Sequence, residues 1–330
     1  MSLAVTIALS AFNVEEYIAK SLDNIVNQTL ADIEIICIDD GSTDNTLSIM
    51  KDYALQDERI KVVSLSANKG LANARNLSLQ MASAKYICFV DGDDLMHTDL
   101  FKSAYELAEK QGADLVLWDY IAFYKDFELK DIEINRSLFT NLESDNKKQL
   151  LKLPAFTWTK LVKVSCAREL NITFPEGLTR QDIPVHWHLI TSLNNISILP
   201  KKLSYYRQQV NATTHQSDRR NFDIAKVLDI TEEYLKSSGG WTYYKDSFLE
   251  AQLNMLFGMQ DKVDSDLKLE GTTLIKNRLK HEQWDYIFDA DKPLRWQARQ
   301  YYLSLNGSKV SHLKLLLWKL VRYFYRTLRG

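Results

Sequence analysis

Cysteine is scarce: Cys37, Cys88 and Cys166 are the only three in 330 residues. Their odd number, wide spacing and mostly apolar settings exclude a disulfide framework and zinc-type spacing, and fit the reducing cytoplasm. No uninterrupted apolar stretch approaches the roughly 20 residues that cross a bilayer, and no charged n-region followed by an apolar h-region opens the chain. Export and membrane threading are therefore not expected. Also missing are G-x-G-x-x-G after the first strand-like run and G-x-x-x-x-G-K-[ST] anywhere, which leaves a dinucleotide fingerprint and a phosphate-cradling P-loop unsupported. What remains is a soluble globular composition, 45% hydrophobic and 25% charged, with enough chain for one large core or two modest ones.

Acidic residues are absent from Lys309 to the end, whereas Lys309, Lys314, Lys319, Arg322, Arg326 and Arg329 all fall there. A net charge of −2 thus hides a basic tail on an acidic body, which argues against nucleic acid as a partner of the body. On a helical projection Leu313, Leu316, Leu317, Leu320, Val321, Phe324 and Leu328 fall on one side and most of the bases on the other. Such a helix can lie in an anionic membrane interface, with Trp318 and the tyrosines at headgroup depth. The plainer reading docks its apolar face on the protein's own core or on a second subunit of a homodimer.

Two periods alternate over the first 120 residues. The runs 3–10, 33–40, 60–65, 86–91 and 113–119 are strand-like, and between them 14–29, 44–56, 70–83 and 98–111 have helical spacing. The alternation predicts βαβ units and a mostly parallel sheet covered by helices. Ser42 and Thr43, and Thr98, stand where caps for the second and fourth helices are expected. Residues 120–155 lose the rhythm and turn charged, which suggests a surface excursion. Apolar segments return over about 156–215, punctuated by Pro175, Pro184 and Pro200, and a glycine-poor helical pattern follows from about 218.

In an open parallel sheet the ligand crevice lies outside the carboxyl ends of the strands. Three strand ends here are chemically loaded: "SAFN" (10–13), "DDGSTD" (39–44) and "DGDD" (91–94). Each alone is also a good turn or helix cap, because Asp, Asn, Ser and Gly favour such local bonds. Three carboxylates within four residues repel one another unless a cation makes the cluster favourable. Hard oxygens such as those of Asp93, with phosphate oxygens and water, suit Mg²⁺ or Mn²⁺. His186 and His188, two apart, would share a face only in a strand, and a structural role is the simpler reading for both.

The stretches "SAFNVEEYIAKSLDNIVNQT", "IICIDDGSTDNT", "NKGLANARN" and "FVDGDD", in this order and spacing, resemble glycosyltransferase family 2, the inverting GT-A-type enzymes. The likeness is close over about 1–110 and extends through "FTWTKL", "FPEGLTRQD" and "YYRQQVNATTH" to about 215. It implies an α/β fold, a GT-A-type Rossmann-like sheet flanked by helices and followed by a helical C-terminal part. The expected domains are a catalytic domain over 1–217, with a nucleotide-binding half (1–110) and an acceptor-side half (111–217), and a helical region over 218–330 that ends in the tail 309–330.

Carried over residue by residue, the resemblance implies that Asp40 and the backbone near Ala11 and Phe12 hold the nucleobase, with Asn13 and Glu15 on the same side. Asp91 and Asp93 form the D-x-D that meets ribose and metal, Arg75 with Lys69 lines the nucleotide or sugar side, and Arg207 steadies the diphosphate. Asp182, after Phe174-Pro175-Glu176-Gly177, takes the place of the base, with Gln181 where the family usually has Glu. His215 stands where some relatives supply a metal ligand. Lys69, Arg75 and Arg207 could equally be solvated charges, Asp182 a helix cap and His215 an ordinary loop histidine. The function implied is a Mn²⁺- or Mg²⁺-dependent inverting transfer of a sugar from a nucleotide diphosphate, a UDP-sugar foremost, to a glycan or lipid-linked acceptor. The expected setting is bacterial surface polysaccharide synthesis on the inner face of the membrane. A catalytically silent nucleotide-sugar binder and a nucleotidyl- or phosphotransferase on a similar sheet are the rivals.

Overall fold

The computed structural model describes residues 3–124, 137–208 and 217–306. The chain forms two compact units, Met1–His215 and Gln216–Gly330. In the first unit the strands are β1 (Val5–Ala11), β2 (Ile33–Asp39), β3 (Ile60–Ser64), β4 (Tyr86–Asp91), β5 (Leu95–Met96), β6 (Leu115–Phe123), β7 (Lys160–Lys163) and β8 (Ile196–Arg207). Its helices are α1 (Ile18–Val26), α2 (Thr46–Gln56), α3 (Leu71–Met81), α4 (Leu100–Gln111), α5 (Lys147–Leu150), α6 (Val164–Glu169) and α7 (Asp182–Ser192).

The strands join in one sheet of order β3-β2-β1-β4-β7-β6-β8-β5. β3, β2, β1 and β4 run parallel, and β1 and β2 are buried along their whole length. That double-sided burial explains why "VTIALSA" and "IEIICID" read as continuous apolar runs rather than alternating ones. β7 enters antiparallel between β4 and β6, β8 returns parallel to β6, and the short β5 pairs antiparallel with β8. Ile7, Leu9 and Cys37 pack on one face with Ile18, Leu22 and Ile25 of α1 and Leu100 and Phe101 of α4. On the other face Ile36 and Ile38 meet Ala74 of α3. α1 has nine residues, below the roughly 12–15 at which an isolated helix is even marginal in water. Its three buried aliphatics, at about 1.5–3 kcal/mol each, hold it in place.

Two local expectations are corrected. β6 does not stop at 119 but runs on to Phe123, with its register to β8 shifted on both sides of Asp119. The helix caps also differ: the N-cap residues of α2 and α4 are Asn45 and Asp99, neither with a side-chain cap bond. The Ser42 hydroxyl and the Thr43 amide are instead engaged by Asn13, so "GSTD" joins two loops rather than capping α2.

The second unit is helical: α8 (Asp223–Ser237), α9 (Trp241–Lys262), α10 (Lys268–Lys276), α11 (His281–Phe288) and α12 (Trp296–Leu305). α9 touches each of the other four, and buries Phe248, Leu249, Leu253 and Leu256. The Tyr302 hydroxyl donates to the Leu253 carbonyl at 2.6 Å, which satisfies its polar end inside this core. Among the described residues no helix is long and apolar enough to cross a membrane. The tail 309–330, proposed from its sequence to meet a membrane or a subunit, lies outside the described residues.

Candidate functional site

The carboxyl ends of β1, β2 and β4 meet as the parallel register requires, with Ala11 opposite Asp39 and Ser10 opposite Asp91. The loops that leave β1 and β2 are clasped together. The Asn13 amide donates to Ser42 Oγ at 3.0 Å, the Thr43 amide to Asn13 Oδ1 at 2.8 Å, the Glu15 amide to Asp44 Oδ2 at 3.1 Å, and the Asn45 amide to Glu15 Oε2 at 2.9 Å. Asn13 takes φ 51° to do so, a left-handed conformation that Asn tolerates better than most residues. Gly41 has φ +74°, and a Cβ there would lie 2.6 Å from the Ala67 carbonyl carbon, so no larger residue fits. Asp40 accepts from the Lys69 and Gly70 amides, each at 2.8 Å, and so fixes the approach to α3. Each of its oxygens retains a second lone pair for a ligand. The Lys69 side chain is exposed, and Phe12 projects at the same edge with 42% of its surface open.

Gly92 lets the end of β4 press against β1: its amide donates to the Ser10 carbonyl at 2.9 Å, and a Cβ would stand 3.1 Å from that of Ala11. The three carboxylates that follow are not equivalent. Asp94 is buried, and one of its oxygens accepts the Arg207 amide at 2.8 Å. Burial, then the charges of Asp93 and Asp91, push its pKa well above the carboxylate range, with Arg207 opposing. Of the three carboxylates in "DGDD", Asp94 is therefore the one whose charged form its surroundings oppose. Arg207 donates Nε to the Asp93 carbonyl at 2.9 Å, and its guanidinium lies 4.7 Å from the ring centres of both Tyr17 and Phe123. The structure thus uses Arg207 to brace the acidic turn.

α3 carries the link to the second half of the site. The Asn76 amide group grips Phe174 at both ends of its residue, accepting from its N–H at 2.8 Å and donating to its carbonyl at 2.9 Å. Asn73 and Asn76 also donate to Glu176, at 3.2 and 3.3 Å. "FPEG" is thereby docked on α3. Between those asparagines Arg75, only 1% exposed, donates Nη2 to Asp91 at 3.0 Å and Nη1 to Asp182. A buried guanidinium is tolerable only with such partners, and two carboxylates on one planar fork supply them. Gln181, turned so that its nitrogen donates to the Leu178 carbonyl at 3.2 Å, also accepts from Arg75 Nη1 at 3.3 Å.

Asp182 opens α7, where the helix dipole favours its charge, yet its carboxylate is directed to Arg75. Its side chain remains 18% exposed, so an incoming hydroxyl can reach it. Burial raises its pKa, Arg75 counters this, Asp91 adds to it, and Lys160 opposes it. Arg180, two residues earlier, holds φ 60°, so backbone in the left-handed region flanks the carboxylate on this side as Asn13 does on the other. His186 and His188 lie on α7, a helix, and so on different faces. His215 lies outside the described residues.

Sequence reasoning missed Lys160, which lies inside the apolar run "TWTKLV" and is 2% exposed. It also missed the burial of Asp94, which raises its pKa, and the grip of Asn76 on Phe174. Only the charge of Lys160 beside the apolar pair Leu161 and Val162 could have drawn attention to it. For a divalent ion, Asp91 keeps one oxygen beyond Arg75, and Asp93 adds a second hard donor. Mg²⁺ and Mn²⁺ are commonly held by one or two carboxylates, with substrate phosphates and water completing the shell. Among the described residues no three His, Cys, Asp or Glu side chains converge as a protein-only metal cage.

The profile of the family described as Glycosyl transferase family 2 matches residues 6–167. The Bacillus subtilis glycosyltransferase EpsJ is 32% identical over 219 residues, an alignment that takes in 64% of this chain and 62% of EpsJ. The crystal structure of S. aureus TarS 1-349 in complex with UDP-GlcNAc aligns with a TM-score of 0.58 at 20% identity, covering 85% of this chain and 88% of that one. The Pyrobaculum calidifontis mannosyltransferase PcManGT, solved with GDP-Man and Mn²⁺, aligns at 0.58 and 16% identity over 96% of this chain and 88% of its own. At these identities the two structures are alike in fold.

Proposed function

The chain belongs to glycosyl transferase family 2 through residues 6–167, and from that premise we propose that it is a metal-dependent inverting glycosyltransferase. It moves a sugar from a nucleotide diphosphate donor, a UDP-sugar foremost, to a glycan or lipid-linked acceptor of a bacterial polysaccharide. The observation that carries this reading is Arg75, which ties the donor-side carboxylate Asp91 to the partly open Asp182. A base must reach the acceptor on the face opposite the leaving diphosphate without sharing its metal, and one guanidinium between them keeps two carboxylates near each other and apart.

In this reading the nucleobase rests on the rim formed by Ala11, Phe12, Asn13 and Asp40, with the exposed Phe12 ring able to stack on it. Glu15 and the exposed Lys69 border that rim, and Arg207 acts from behind by holding the acidic turn. Asp93 and Asp91 would hold Mn²⁺ or Mg²⁺, which neutralises the diphosphate as it leaves. Asp182 takes the proton of the acceptor hydroxyl while that oxygen bonds to the anomeric carbon and the bond to the diphosphate breaks on the opposite face. The donors bound in the related structures, UDP-GlcNAc and GDP-Man, support a nucleotide sugar and leave the base to be chosen by experiment. The basic tail 309–330 supports a seat on the cytoplasmic face of the membrane.

Nucleoside diphosphate release from UDP-GlcNAc, UDP-glucose, UDP-galactose and GDP-mannose, with Mn²⁺ or with chelator, tests the reading. Release from one donor, abolished by chelator and by Asp93→Ala, is expected. Asp182→Asn is expected to lower it by about 10²–10⁴, the range of a lost general base. Unchanged turnover in Asp182→Asn would sink the assignment of the base, and donor binding without turnover would favour the silent relative. Sedimentation with anionic liposomes, using the full chain and a chain ending at 308, tests the tail; equal recovery of both would end the membrane proposal.

A further inference from the structure

Lys160 begins β7, and its whole side chain is enclosed. The only hydrogen bond of its amine is to the Phe156 carbonyl, and no carboxylate stands within ion-pair reach of it among the described residues. Two small voids meet at this side chain: one runs between Ile87, Phe89 and Val185, the other between Tyr120, Phe139 and His186. A lysine so enclosed would ordinarily be replaced by an apolar residue at little loss to folding. Its neighbours explain its presence better than packing does. His186 of α7 and Tyr120 of β6 line the second void with it, and the charges of Asp182 on α7, Arg75 on α3 and Cys88 on β4 lie within electrostatic range.

We propose that Lys160 is a positioning residue for the base: from behind α7 its amine sets the charge that Asp182 experiences, and thereby how strongly Asp182 holds the acceptor's proton. Asp182 is gripped by the permanently charged Arg75, which keeps it ionised and weakens it as a base. Lys160 is the neighbour whose charge can change. Burial drives its ammonium down to about 7, with Asp182 opposing, Arg75 assisting and Cys88 opposing. His186 is held neutral, mainly by burial, and the Cys88 thiol is pushed up by its own burial, so neither alters this balance near neutral pH. Below the Lys160 transition both Arg75 and Lys160 favour the ionised form of Asp182, which is then a weak base. Above it one positive charge is gone, and Asp182 binds a proton more tightly.

The inference rests on Asp182 as the base, and the experiment separates the two. Turnover of whichever donor is active in the panel above is followed against pH for wild type, Lys160→Met and Lys160→Arg. In parallel, NMR follows the Lys160 Nζ and the Asp182 carboxyl carbon. In wild type, kcat should rise about threefold to tenfold through neutral pH, the effect of up to about one unit in the strength of the base. Lys160→Met, permanently neutral, should lose that limb and raise the Asp182 midpoint by about one unit; Lys160→Arg, permanently charged, should lose the limb from the low-activity side. A Lys160 amine that stays charged beyond about pH 9, or the same limb in Lys160→Met, would overturn the inference. Equal loss at every pH with an unmoved Asp182 midpoint would also overturn it, because that is the mark of a packing role. A shifted Asp182 midpoint without turnover of any donor would sustain the coupling and sink the catalytic reading.

Discussion

The two halves of the site treat charge in opposite ways. On the donor side, Asp39, Asp40, Asp44 and Glu15 are all bonded to backbone amides of neighbouring loops, and Arg75 is held between two carboxylates. On the base side, Lys160 is buried with a single carbonyl partner, and Asp182 shares its one guanidinium with Asp91. Those amide bonds fix the loop geometry, which suits the nucleotide rim proposed for this side. Incomplete satisfaction leaves protonation adjustable, which suits the base role proposed for Asp182. The same fold therefore keeps one region rigid and the other electrically soft, with Arg75 as the hinge of the contrast.

Removing that hinge should have the largest effect. Arg75→Met leaves Asp91 and Asp182 facing one another without their shared cation, and breaking a buried pair costs about 3–5 kcal/mol. Turnover should fall by about 10³ or more, and thermal unfolding should show a clear loss at neutral pH that lessens in acid as the carboxylates protonate. Arg75→Lys should rescue only part of this, since a point charge cannot span both carboxylates as the planar fork does. Rescue to wild-type kcat by lysine would mean that charge alone, and not the bridge, is required. Next in size is Gly41→Ala on the rigid side. Its Cβ would collide with the backbone at Ala67 and meet an unfavourable φ, for a destabilisation of about 1–3 kcal/mol. The expected signature is a raised donor KM with kcat affected less, measured by steady-state kinetics.

Much of the rigid side was legible from sequence because its signals are local. β1, β2 and β4 announce themselves as unbroken apolar runs, and the acidic turns follow from their position at strand ends. The soft side was not legible, because pairings distant in sequence create it. Asp182 meets Arg75 across 107 intervening steps of chain, and β7, which carries Lys160, enters the sheet antiparallel between β4 and β6. No periodicity reveals such an insertion. The failed caps make the same point: Ser42 and Thr43 have the chemistry of cap residues, but a loop 30 residues earlier competes for them and wins.

A smaller effect, on stability rather than rate, tests the soft side directly. The Lys160 pKa of about 7 in the fold lies below the roughly 10.4 of an unfolded lysine. Between those values the unfolded chain binds more protons, so this residue's contribution to stability rises with pH across the window and is most unfavourable below about 7. Lys160→Met abolishes the term. The variant should be more stable than wild type at about pH 6, by up to a few kcal/mol, with the gap narrowing as pH rises toward 10. Denaturant unfolding of both proteins across that range checks it, and a gap independent of pH would mean that Lys160 keeps its unfolded-state pKa in the fold and stays charged throughout the range.

The smallest effect should come from Gln181→Glu, which restores the residue usual in the family and adds a carboxylate where an amide now accepts from Arg75 at 3.3 Å. The new charge competes with Asp182 for the same guanidinium and repels it, so Asp182 should become a slightly stronger base. It also brings negative charge toward Lys160, which should hold its proton to higher pH and so weaken Asp182 again near neutrality. The two influences oppose each other, and turnover at neutral pH should change by no more than about threefold. Their separation in pH is what makes the variant informative: the activity limb assigned to Lys160 should move upward even where its height barely changes. A limb that stays in place while kcat shifts would show that residue 181 acts on Asp182 through Arg75 alone, and would confine the soft region to those three side chains.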